Sequence, residues 1–291
     1  YNGKLYSLGQ YDSGLALWGN KAYLEQAGVR IPTGVDDAWT LDEFNDALAA
    51  LQALPDVDYA IDLKMQYTGE WFSYAFGPII QSFGGDLINR STMATSNGFL
   101  NSPEAVSAVE WIQSLFEKGY ADPLPATDDT FYGDQTAALS YVGHWMYNTH
   151  KSMLNDDLVL IPIPKFGPRH VSGMGSWNWG ITNTSKHPEE TWKLLEYILD
   201  SDTILDVTTV NGAVPARLSA LDKNPDYSSD GSLVIYRQQL NKIALPRPGT
   251  PVYPTISKMM EEVIRNIASG ADVKDELERA VEIIDRDISD L

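Results

Sequence analysis

The stretch VSGMGSWNWGITNTSKHPEETWKLLEYILD, Val171 to Asp200, decides how this chain is read. Gly173 and Gly175 open it, and glycine permits backbone conformations that other residues resist. Trp177 and Trp179 then bracket Asn178, and Gly180 closes the cluster. Ser185 or His187 as cap, with Pro188 at the first helical position, predicts a helix start. Glu189 and Glu190 fall in its first turn, where the helix dipole favours negative charge. Trp192, Leu195, Ile198 and Leu199 give that helix one apolar stripe. Two readings follow. The stretch is a ligand-facing crossing between two lobes, or it is a glycine-rich turn with two tryptophans in the core.

Working outward, helical and extended patterns alternate. Tyr1 to Gln10 alternates around an Asn2-Gly3 turn signal, and Leu15 to Trp18 is a short apolar run suited to burial. Asn20 to Gly28 reads as a brief helix stopped by glycine. Thr40 with Glu43 forms a capping box for a helix that places Leu41, Phe44, Leu48 and Leu51 on one face. Residues 59–65, 137–142 and 158–163 read as strands. An aromatic helix over 71–83 stops at Gly84-Gly85, and another begins at Ser102-Pro103-Glu104. Residues 223–231 are polar and turn-rich, so they read as a surface loop. Two amphipathic helices finish the chain, one ending at Gly270 and one starting at Asp272. Strands alternating with helices give the class α/β.

Composition narrows the function. A length of 291 residues suggests about two domains. Forty acidic against 21 basic side chains leave a net charge of −19, which repels nucleic-acid phosphates and anionic membrane surfaces. With no cysteine there is no disulfide framework, thiolate metal site or cysteine nucleophile in this sequence. No run approaches the roughly 18 apolar residues of a membrane helix, so direct membrane insertion of this segment is not expected.

Catalytic and metal signatures are scarce. His144, His150, His170 and His187 lack metal-ligand spacing, and neither a metal nor a cofactor is expected. GMGS at Gly173 to Ser176 is neither a nucleophile elbow nor a dinucleotide loop. Asp36-Asp37 and Asp128-Asp129 read as solvated loop charge, although a glycosidase would use a carboxylate pair set across a cleft. The aromatics say more. Trp71, Phe72, Tyr74, Trp145, Tyr147, Trp177 and Trp179 lie near element ends in glycine-rich segments. Flat rings suit the C–H faces of sugars, and Asp12, Glu70, Asn148 and Asn178 lie nearby to meet hydroxyls. Core packing is the plain alternative for each ring. Arg90, Arg169 and Arg217 are scattered, which favours a neutral sugar over a charged solute.

Several ordered segments carry a family resemblance. GKLYSL at 3–8, ALWGNKAYLEQAGV at 16–29, AWTLDEF at 38–44, FGPIIQSFGGDLIN with LNSPEAVSAVEWIQSLFEKG, and FYGDQTAALSYVGHW follow one another as in the extracellular solute-binding proteins of ABC importers. The chain resembles their sugar-binding branch, the maltose-binding-protein family. The resemblance implies a two-lobe periplasmic-binding-protein-like fold, a non-enzymatic carbohydrate receptor and a membrane permease as partner. It places the protein extracytoplasmically, in a periplasm or as a cell-surface lipoprotein, with a signal or anchor upstream. A glycosidase-like enzyme and a receptor for a non-sugar solute remain as alternatives.

By the family layout, 14–170 and 217–291 form a C-terminal lobe, while 1–13 and 177–211 belong to an N-terminal lobe most of which is expected upstream of this chain. Lobe crossings are expected at 171–176 and 212–216. The resemblance makes Trp145 a stacking position, puts Trp71, Phe72 and Tyr74 in a second aromatic cluster, and makes Asp12 or Ser13 a hinge-side polar contact. Glu70, Trp177, Asn178, Trp179 and Arg217 complete the expected ligand-binding set. Ser257 departs from the maltose binder's tryptophan, so the ligand need not be a maltodextrin.

Overall fold

The computed structural model describes residues 3–291, so Asn2 of the expected turn lies outside the described residues. The first segment is less strand-like than its alternation suggests. Only Ser7–Gly9 (β1) and Tyr11–Asp12 (β2) are strands, while Leu5 and Tyr6 stay exposed. Leu15–Asn20 (β3) is buried at every residue, the pattern of a strand covered on both faces. Asn20 then accepts from the N–H groups of Ala22 and Tyr23 and so caps Lys21–Gln26 (α1). Leu41–Gln52 (α2) starts on the reciprocal Thr40/Glu43 capping box and buries Phe44, Leu48 and Leu51. Tyr59–Asp62 (β4) is shorter than the expected run, and Lys64 just beyond it takes a left-handed φ of +55°.

Trp71–Phe83 (α3) and Pro103–Glu117 (α4) form where expected. Gly84 ends the first with a left-handed cap, and Ser102 caps the second. Ala137–Gly143 (β5), Tyr147–Leu154 (α5) and Leu158–Ile161 (β6) follow. The central sheet has the order β4-β5-β3-β6. Its middle strand β3 is antiparallel to both neighbours, with Leu17 opposite Tyr141 on one side and Ile161 on the other, while β4 and β5 run parallel. Under its edge, Lys64 is fully buried between Asp62 at 2.7 Å and Asp128 at 2.8 Å. Asp128 is therefore the partner of a buried cation, not free loop charge.

Beyond the sheet come Ser172–Gly173 (β7), Asn178–Gly180 (β8), Pro188–Ile198 (α6), Ser201–Asn211 (α7) and Val214–Pro215 (β9). β8 pairs with β1 and β9 with β2, both antiparallel. The expected stripe of α6 is partly covered: Leu195 is buried, Ile198 and Leu199 are half-buried, and Trp192 is exposed. Leu218–Leu221 (α8), Val234–Lys242 (α9), Ala244–Leu245 (β10), Tyr253–Ala268 (α10) and Val273–Ser289 (α11) complete the chain, with β10 parallel to β7. The polar loop at 223–231 is partly buried, because Tyr227 is anchored through its hydroxyl to the Gly212 carbonyl at 2.5 Å. Helices α3, α4, α10 and α11 pack together, while α2 and α9 meet the sheet at β4 and β3. The expected α/β class is what forms.

Candidate functional site

Distant parts of the chain meet beside the end of β3. The β2–β9 pair and a bridge between Gly14 and Met174 bring residues 11–14, 174 and 214–215 together. The Asp12 carboxylate ties two of these segments, since its Oδ1 accepts from the N–H of Ser13 and of Gly175, each at 2.8 Å. Gly175 has a φ of +119°, which side-chain-bearing residues rarely adopt. A second tie runs through His144. Its Nδ1 lies 3.2 Å from the Asn211 carbonyl oxygen and its Nε2 lies 2.8 Å from Ser13 Oγ. A carbonyl only accepts, so Nδ1 carries the proton and the Ser13 hydroxyl donates to Nε2. Burial pushes the His144 imidazole down to about 4, so it is neutral at neutral pH.

A cavity of about 410 Å³ opens above this junction. One wall is the start of α3, where Trp71 and Tyr74, one turn apart, face it with Glu70 just before them. Trp145 comes from the turn after β5 and crosses Trp71 at 85°, with ring centroids 6.3 Å apart. It folds back over Gly143, where an added Cβ would stand 2.0 Å from the indole, so only glycine leaves room for this ring. The indole N–H of Trp71 is 3.3 Å from the Leu63 carbonyl, which leaves its apolar surface to the cavity. Ser176 and Trp177 form another wall, and Trp177 is 77% exposed, so it is no core tryptophan.

Polar groups converge among these rings. The hydroxyls of Tyr74 and Ser176 are buried and lack a hydrogen-bond partner among the described residues. Burial raises the Tyr74 phenol well above its ordinary range; Asp12 and Glu70 add to that shift and Arg247 opposes it. The Arg247 guanidinium lies over the Tyr74 ring, 4.9 Å from its centroid, and its Nε is 3.0 Å from Glu70 Oε1. Tyr253 donates its hydroxyl to the same Glu70 oxygen at 3.2 Å.

The structure thus gathers Ser13, Glu70, Trp71, Tyr74, Trp145 and Trp177 from the expected set around one cavity. Others stand elsewhere. Asp12 acts behind the wall through backbone N–H groups. Phe72, on the opposite side of α3, is fully buried, stacked on Phe76 and covered by the Arg265 guanidinium. Asn178 and Trp179 sit in β8 opposite Gly9 and Leu8, outside the cavity lining. Arg217 donates to the Leu199 carbonyl at 2.8 Å, also away from the lining. Asn148 binds the Val210 carbonyl instead of facing the cavity. Tyr11, His144, Asn211, Ser176 and Arg247 line the cavity without having been singled out as binding residues. His144 had a usable signal, lying between Gly143 and Trp145. Arg247 had none, because it stands between two prolines far along the chain from every aromatic cluster.

Comparisons with known proteins bear on the family and the fold. The profile of the family described as bacterial extracellular solute-binding protein matches residues 1–233. A binding protein of Brucella abortus (strain 2308) is 26% identical over 224 residues, 74% of this chain and 51% of its own. A counterpart in Brucella suis biovar 1 (strain 1330) matches to the same extent. The chain therefore spans about half the length of the curated relatives it matches. Among solved structures, the GacH receptor of Streptomyces glaucescens GLA.O, solved with acarbose, superposes with a TM-score of 0.82 at 20% identity, over 100% of this chain and 73% of that one. The sugar-binding protein MalE of Xanthomonas citri gives 0.81 at 19%, over 100% and 72%. UgpB of Mycobacterium tuberculosis, solved with glycerophosphocholine, gives 0.82 at 18%, over 100% and 72%. At such identities the likeness speaks for the fold, that of the two-lobe periplasmic binding proteins. With the family profile covering most of its length, the chain belongs to the bacterial extracellular solute-binding proteins.

Proposed function

We propose that this protein is a non-enzymatic carbohydrate receptor that holds a mono- or oligosaccharide outside the cytoplasm and delivers it to the permease subunits of an ABC importer. The observation that carries the reading is the cavity wall itself. Trp145 and Trp177 expose apolar ring surface, the largely buried Trp71 and Tyr74 back it, and the unpartnered hydroxyls of Tyr74 and Ser176 stand among them. A sugar presents C–H patches and a rim of hydroxyls, and so meets both needs at once. A volume of about 410 Å³ falls low in the roughly 300–1,000 Å³ range of small-molecule sites, which suits a short saccharide. Acarbose in the Streptomyces receptor and the sugar-binding MalE point the same way.

In this reading 14–170 with 217–291 form one lobe, 1–13 with 177–211 belong to the other, and 171–176 and 212–216 are crossings. The Ser13–His144 pair is a tie between segments and not a catalytic dyad. His144 faces a backbone carbonyl and not the carboxylate of a Ser-His-Asp triad, and the nearby Gly175 N–H is already held by Asp12. Arg247 favours a second reading, a phosphate-bearing polyol such as the glycerophosphocholine seen in UgpB. A thermal-shift panel of neutral sugars, oligosaccharides and glycerophosphocholine on the full-length protein separates these, because bound ligand stabilises the fold. We expect a raised Tm with a neutral saccharide and no cleavage products on long incubation. Cleavage would establish an enzyme, and a response to glycerophosphocholine alone would establish the second reading.

A further inference from the structure

We propose that Glu70 sets the charge selectivity of this cavity: by holding Arg247 in an internal ion pair, it restricts the site to uncharged polyhydroxyl ligands and disfavours uronic acids. The inference rests on the sugar reading above and concerns which sugars are refused. A guanidinium presents N–H donors in a fork that matches a carboxylate, so an arginine in a binding cavity ordinarily favours acids. Here one edge and one face of the guanidinium are already engaged. Nε lies 3.0 Å from Glu70 Oε1, and the flat face of the guanidinium is on Tyr74. Each side of the pair has a further tie. Arg90, anchored on Asp86, donates to the Pro246 carbonyl at 2.6 Å and so fixes the backbone next to Arg247. Tyr253 holds Glu70 from the other side.

The cavity therefore meets a balanced edge, with guanidinium N–H groups beside a carboxylate that is half exposed. A sugar hydroxyl both donates and accepts, so a pair of neighbouring hydroxyls can satisfy both halves of that edge. A uronate supplies acceptors only at its carboxylate and brings a negative charge beside Glu70, with Asp12 close behind the wall. Replacing Glu70 by glutamine keeps size and hydrogen-bonding capacity but leaves Arg247 without a counter-ion.

The experiment measures binding to the full-length protein by calorimetry and tryptophan fluorescence. Its probes are matched pairs: glucose with glucuronate, galactose with galacturonate, mannose with mannuronate, and disaccharides carrying the same exchange of CH₂OH for COO⁻. We expect the wild type to prefer the neutral member. Glu70→Gln should raise the ratio of uronate to neutral-sugar affinity by about tenfold or more, the scale of one charged hydrogen bond. Adding Arg247→Gln should abolish that gain, and Glu70→Asn serves as a second variant should the first fold poorly. An unchanged ratio in a folded Glu70 variant, or a wild type that prefers uronates, overturns the proposal while leaving the sugar reading intact. A wild type that binds no neutral member removes the sugar reading itself, and this inference with it.

Discussion

Trp145 shows how a single residue divides between packing and binding. Its ring touches Trp71, Tyr74 and His144, yet 37% of the residue remains exposed to the cavity. Trp145→Ala should weaken sugar affinity by at least the ~1 kcal/mol of a stacking contact, with only a small fall in Tm. Calorimetry and a melting curve on the same sample check it; a large Tm loss with unchanged affinity would make the ring a core residue. Buried histidines give a second prediction. Burial lowers His144 to about 4 and His150 to about 3, and neither ring nitrogen of His150 has a partner. Both folded values lie below the unfolded value of about 6.5, so the unfolded chain takes up these protons first. Their contribution is complete above about pH 6.5 and is lost as pH falls, ending near pH 4 for His144 and near pH 3 for His150. His150→Phe, among Trp18, Phe131 and Tyr132, should flatten the fall of Tm between pH 7 and pH 5. An equally steep profile in the variant would count against it. Nothing in the sequence marked these histidines as buried, because burial is a property of the folded chain.

At the scale of elements, local chemistry was the most legible part. The Thr40/Glu43 box, Ser102-Pro103 and Asp272 each start the helix expected of them, since a cap acts within one turn and needs no distant partner. Thr40→Ala should cost about 1 kcal/mol of stability by denaturant unfolding, and Thr40→Ser should recover most of it. Equal stability of all three proteins would show that the helix is held by packing alone. Elements that depend on tertiary cover were harder to read. Helices α5 and α9 start without a side-chain cap, and the apolar stripe of α6 is buried at Leu195, half-buried at Ile198 and Leu199, and exposed at Trp192. Periodicity tells which residues share a helix face; it cannot tell whether anything covers that face. Helix α3 has the same ambiguity in useful form. Phe72 and Phe76 point into the core while Trp71 and Tyr74 form the cavity wall, and a run with aromatics on both sides of the helix hides which is which.

For the whole molecule, the order of motifs along the chain carried the α/β class and the neighbourhood of the site, but not its charge. Arg247 reaches Glu70 and Tyr74 only because β10 lies beside β7, a pairing that no local pattern announces. We expect the same topology to allow a closing motion. Trp71, Tyr74 and Trp145 stand on the body built around the central sheet, whereas Gly175, Ser176 and Trp177 lead into β8, whose strand partner is β1. Trp177 is 77% exposed, so a conformation that brings it onto a bound sugar would gain apolar contact. A ligand with more contacts in the closed form shifts the population towards it. Saturating sugar should therefore reduce the radius of gyration of the full-length protein in X-ray scattering and shield tryptophan from acrylamide quenching. In Trp177→Ala the shielding should shrink and affinity should fall, because the wall that closes has lost its contact surface. Unchanged scattering with full sugar occupancy, together with unchanged quenching, would mean that the ligand is held by the body wall alone and that segments 171–176 and 212–216 do not work as hinges.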